Sequence, residues 1–132
     1  MIKRKLYLSK IRKFIDKKEI KVITGIEKCG KTQLLKQIID EVKIHKIASE
    51  NILYISLENN EIKNHINLNK YIFKQTENLN GKLYLFFDEI QLVSDWEKSI
   101  NEFRMKLNCD IYIACSNSKL ISKKLYDYIK ID

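Results

Sequence analysis

The chain has 132 residues, enough to bury one hydrophobic core and too few for two. With 45% hydrophobic and 32% charged residues it has the balance of a globular protein, and no apolar run approaches the roughly 20 residues that a membrane-crossing helix needs. The net charge of +8 suits association with polyanions, but nearly all of it is lysine rather than the arginine fork that reads bases and phosphates, and lysine is abundant all along the chain.

Met1 to Phe14 is basic, with charges interrupting its apolar residues. It lacks the continuous apolar core of a secretory signal, so the expected location is the cytoplasm. Cys29, Cys109 and Cys115 form neither a paired framework nor a C-x-x-C metal pattern, as expected of reduced thiols. Ile11, Phe14 and Ile15 predict a short basic amphipathic helix, and the β-branched run Ile20 to Thr24 predicts a strand ending at Gly25. From Lys31 onward, Leu34, Leu35, Ile38, Ile39 and Val42 recur at helical spacing. Asn51 to Leu57 reads as a second strand, and Glu61 to Asn78 as a polar helix. Asn80-Gly81 then turns into the most apolar strand, Leu83 to Phe87. Ser94 and Glu97 have the spacing of a capping box at the head of a helix through Trp96, Ile100, Phe103 and Leu107. A strand over Asp110 to Cys115 follows, and Lys119 to Ile129 predicts a closing helix through Leu120, Ile121, Leu125 and Tyr128. Strands that alternate with helices in this way belong in a parallel sheet covered on both faces.

Gly25-Ile26-Glu27-Lys28-Cys29-Gly30-Lys31-Thr32 matches the phosphate-loop pattern G-x-x-x-x-G-K-[ST] at every defined position. Gly25 and Gly30 let the backbone approach a ligand closely, so that successive amide N–H groups can point at phosphate oxygens. The helix beginning there adds the positive end of its dipole, and Gln33 follows in its first turn. Lys31 is placed to meet the outer phosphates, and the Thr32 hydroxyl to ligate magnesium. The alternative is an ordinary glycine turn before a helix.

About 55 residues on, Leu83-Tyr84-Leu85-Phe86-Phe87-Asp88-Glu89 is an apolar strand ending in two carboxylates. Asp88 suits the magnesium shell, and Glu89 suits the orientation and deprotonation of an attacking water. After the fourth strand, Asn117 in Ser116-Asn117-Ser118 is either a sensor of the terminal phosphate or a helix cap. Nothing in the residues themselves distinguishes ATP from GTP.

The segments IKVITGIEKCGKTQLLKQI, NILYISLE, LYLFFDEIQLVSDWEKSINEFR and DIYIACSNSKLISKKL resemble the AAA-superfamily ATPases of bacteria and archaea whose core precedes an unrelated C-terminal domain. The resemblance implies ATP and Mg2+ as cofactors, hydrolysis of ATP, Asn117 as the sensor and Gln91 as a lesser site residue. It implies a three-layer α/β P-loop NTPase fold with a central parallel sheet in the order 1-4-3-2, counted from the phosphate-loop strand. Where such proteins usually carry two arginines, this loop has Glu27 and Lys28. Their cores also continue into a further strand, so residues 1–132 are expected to form one core truncated at its C-terminus, its fifth strand missing and Ile20 to Thr24 left as an apolar edge. Besides ATP, the expected partners are another protein or further copies of the chain, and not a membrane. Alternatives are a nucleotide-binding remnant without turnover, or a nucleic-acid module using the basic N-terminal helix.

Overall fold

The computed structural model describes residues 12–13, 15–24, 28–116, 125 and 128–131, with the backbone alone at 28–29 and 130–131. The strands are β1 (Ile20–Ile23), β2 (Ile52–Ser56), β3 (Leu83–Asp88), β4 (Cys109–Ala114) and β5 (Tyr128–Ile131). The helices are α1 (Lys28–Ile44), α2 (His65–Thr76) and α3 (Trp96–Lys106). All four pairings in the sheet are parallel, in the order β2-β3-β4-β1-β5. No helix among the described residues is long and apolar enough to cross a membrane.

Alternation along the strands sends side chains to two faces, and both are apolar. On one face Leu83, Leu85 and Phe87 of β3 and Ile111 and Ile113 of β4 pack with Leu68 and Ile72 of α2 and Trp96, Ile100 and Phe103 of α3. On the other, Tyr84 and Phe86 meet Tyr112 and Ala114 beneath Leu34, Leu35, Ile38 and Val42 of α1. Phe86 stacks on Tyr112 with centroids 4.7 Å apart, and Phe87 on Phe103 at 5.9 Å. The helical stripe of α1 and the unbroken apolar run of β3 are therefore two halves of one three-layer packing. Ile15 lies in a turn and packs against the α1 face, whereas Ile11 and Phe14, its proposed helix partners, fall outside the described residues.

Three expectations are corrected. A fifth strand is present: β5 pairs with β1 from Ile20 opposite Tyr128 to Ile23 opposite Ile131, so β1 is an inner strand and the expected apolar edge does not exist. The closing helix does not extend through Tyr128 and Ile129, which are strand; Leu120 and Ile121 fall outside the described residues, and Leu125 is buried on the α2/α3 face. A run of four alternating residues is too short for periodicity to separate strand from helix, and here the neighbouring strand decides. The capping box is not formed. α3 starts at Trp96 after Asp95, whose side chain makes no cap hydrogen bond, while the Ser94 backbone is bridged to the head of α2 through Lys63 O and His65 N.

Candidate functional site

β3 delivers Asp88 to the carboxyl edge of the sheet, beside Ser56 of β2 and Ala114 of β4 in register. The chain turns there through Glu89, whose φ of 57° lies in the left-handed region that non-glycine residues enter at a cost of about 1 kcal/mol or more. A single 3-10 turn, Ile90–Leu92, follows. Across the sheet, α1 carries Lys31, 1% exposed, and Thr32.

Asp88 uses one of its oxygens twice. The Thr32 hydroxyl donates to Oδ2 at 2.6 Å, and the Tyr54 hydroxyl donates to the same oxygen at 2.7 Å. Burial raises the Tyr54 pKa, as do the hydrogen bond to Asp88 and its charge, so this hydroxyl keeps its proton and remains a donor. The other oxygen, Oδ1, is buried and has no partner.

Glu89 repeats the pattern. Its Oε2 accepts from Gln91 Nε2 at 2.7 Å and from Ser116 Oγ at 2.9 Å, and Gln91 Nε2 also donates to Ser116 Oγ at 2.8 Å. Glu89 Oε1 and Gln91 Oε1 are buried and unpartnered. Three acceptor oxygens from adjacent positions are thus left without donors at one sheet edge, each a penalty of about 1–3 kcal/mol unless something arrives to bond it. All three lack a donor, so a hydrated cation or a bound water fits them chemically and a further anion does not.

Of the residues expected from the sequence, Thr32 and Asp88 are brought into contact, and Glu89 and Gln91 are joined with Ser116. Lys31 is on α1 beside Thr32, Gly30 is half-buried and Gln33 is exposed on the same helix. Lys28 and Cys29 are described only as the first backbone positions of α1. Gly25, Ile26, Glu27 and Asn117 lie outside the described residues. Tyr54 was missed, although a tyrosine inside an apolar strand always asks where its hydroxyl bonds. Ser116 belongs to the polar run in which the sequence singles out Asn117, and its contact with Glu89 depends on β4 lying beside β3.

Residues 17–130 match the family described as AAA domain. The chain belongs to that family. The AAA domain is 39% identical over 128 residues to an uncharacterised protein of Haemophilus influenzae, covering 95% of this chain and 32% of that protein. It is 36% identical over 109 residues to an uncharacterised protein of Methanocaldococcus jannaschii, covering 81% of this chain and 23% of the relative. It therefore spans a third or less of the length of these curated relatives. Its fold is shared with the Thermotoga maritima RuvB Holliday junction branch migration motor, at a TM-score of 0.57 and 20% identity over 98% of this chain and 43% of that one. Family and fold together suggest nucleotide binding.

Proposed function

We propose that the chain binds ATP with magnesium at the carboxyl edge of its sheet and hydrolyses the terminal phosphoanhydride bond. The observation that carries this reading is the set of buried, unpartnered oxygens on Asp88, Glu89 and Gln91 beside Thr32.

In this reading the amides of the 25–32 loop and the Lys31 ammonium bind the phosphates, with the α1 dipole adding to the same attraction. Thr32 and Asp88 are the residues that would hold a magnesium ion, Asp88 having one carboxylate oxygen unpartnered. Bound magnesium supplies positive charge to the phosphate oxygens. Tyr54 keeps Asp88 oriented by donating to its other oxygen. Glu89 accepts the proton of the attacking water at Oε1, while Gln91 and Ser116 hold its Oε2 and so determine where Oε1 points. Asn117 is assigned to contact the terminal phosphate. No group of three or more His, Cys, Asp or Glu side chains able to hold a metal occurs among the described residues. Magnesium keeps several waters and leans on substrate phosphates, so it needs few protein ligands.

The test is single-turnover hydrolysis of Mg-ATP, with binding followed separately by calorimetry. Glu89→Gln should bind Mg-ATP within a few-fold of wild type and lose about 10²-fold or more in the hydrolytic rate. Equal rates in both proteins would leave a nucleotide-binding domain without turnover. No heat of binding from the folded protein at millimolar Mg-ATP would remove the nucleotide reading altogether.

A further inference from the structure

The positive charge of this chain is unevenly placed. Residues 1–18 hold eight lysines and arginines against one carboxylate, so this segment carries seven of the eight net charges. Its last residues, Lys17 and Lys18, are exposed at the edge of a cleft of about 330 Å³ at the amino ends of the strands. Lys82 reaches this cleft from the turn before β3, Arg104 from the last turn of α3, and Cys109 from the start of β4. Lys82 and Asp88 bracket β3, which at about 3.3 Å per residue sets the cleft roughly 20 Å from the nucleotide site.

Among the described lining residues the one carboxylate is Asp16, and it is already engaged. Lys82 Nζ lies 2.9 Å from its Oδ1, and the Tyr84 hydroxyl donates to the same oxygen. Behind it, Asp110 is bonded to Lys21, to the Tyr112 hydroxyl and to the Asp16 amide. Four cations from three separate segments, Lys17, Lys18, Lys82 and Arg104, therefore line the cleft against one described carboxylate, and Lys17 and Lys18 are exposed. We infer that this cleft binds the phosphodiester backbone of a nucleic acid, without reading its bases. Lysine ammonium groups suit sequence-independent phosphate contacts. Leu107 is the one aliphatic side chain among the described lining residues, so the surface lacks the apolar face that would insert into a membrane.

The test is fluorescence anisotropy of a labelled single-stranded oligonucleotide over a series of salt concentrations, without nucleotide. Affinity should fall steeply with salt. Lys17→Ala combined with Lys18→Ala, both exposed so that the fold survives, should weaken binding roughly tenfold at low salt and flatten the log–log salt slope by about 1.4. Lys31→Ala should bind the oligonucleotide as wild type does. The proposal is overturned by undetectable binding at low salt, by unchanged binding in the double variant, or by loss of binding in Lys31→Ala. It is equally overturned if tripolyphosphate competes as well as the oligonucleotide per phosphate, or if phosphatidylserine vesicles bind the chain more tightly.

Discussion

Two groups of buried polar side chains lie at opposite ends of the same sheet, and they differ in how completely they are paired. At the amino end, Lys21 and Asp110 form an ion pair with both side chains fully buried. Lys21 also donates to Lys17 O, and Asp110 also accepts from Tyr112 and from the Asp16 amide. Burial pulls the Lys21 pKa down against the attraction of Asp110, and pushes those of the Tyr112 hydroxyl and the Cys109 thiol up, the latter to about 12. At the carboxyl end, Asp88 and Glu89 are nearly as buried, yet each keeps one oxygen with no partner, and Glu89 sits on a left-handed backbone. A closed network holds strands together. The open one, at a strained turn, is where the proposed ligand would complete the pairing.

The comparison can be broken most forcefully at the closed end. Asp110→Ala leaves the Lys21 ammonium buried without its counter-charge, and should lower unfolding free energy by about 3–5 kcal/mol in denaturant titration. Replacing both partners, Lys21→Met with Asp110→Leu, should recover part of that loss, because the pair's mutual attraction largely offsets its desolvation. Neither change should alter Mg-nucleotide affinity of the folded fraction, and a large change would mean that the two ends are coupled.

At the open end the sensitivity should be reversed. Tyr54→Phe removes one donor from Asp88 Oδ2, and should weaken magnesium-dependent nucleotide binding on the order of tenfold while shifting thermal stability little. A variant that unfolded readily and bound normally would place Tyr54 with the structural network instead.

The smallest effect concerns Asp16, which joins the closed network to the basic cleft. Burial raises its pKa, but hydrogen bonds from Tyr84 and Lys82 and the charges of Lys82 and Lys21 outweigh burial, leaving the folded value below the ordinary 3.8. The unfolded chain then binds more protons in that window, so Asp16 contributes stability that is present above pH 3.8 and lost as pH falls through the lower folded value. Asp16→Asn, which tolerates the left-handed φ of 66°, should melt below wild type at pH 6, and the gap should shrink below pH 3.8. A gap constant from pH 6 to pH 2.5 would show that the carboxylate charge is not what matters.

How far each part was legible follows from the range of the interactions involved. Phe86 and Phe87 announced a buried strand, and the Leu34 to Val42 stripe announced the helix over it, because burial on both sheet faces demands such patterns. The pairing of Thr32 with Asp88 was legible as two motifs expected to share a metal, and the hydrogen bond between them is what the structure adds. Ser94 misled, because its backbone was claimed by Asn64, a partner thirty positions away.

By itself the sequence determined the alternation of strands and helices, the phosphate-loop signature and the acidic end of β3, since these depend on neighbours a few residues apart. Only the tertiary structure decided that Tyr128 to Ile131 completes the sheet, that Tyr54 and Ser116 hold the two carboxylates, and that Lys21 is neutralised by Asp110. Each of those joins residues more than twenty-five positions apart. Such contacts arise from strand register and layer packing, which no local spacing encodes.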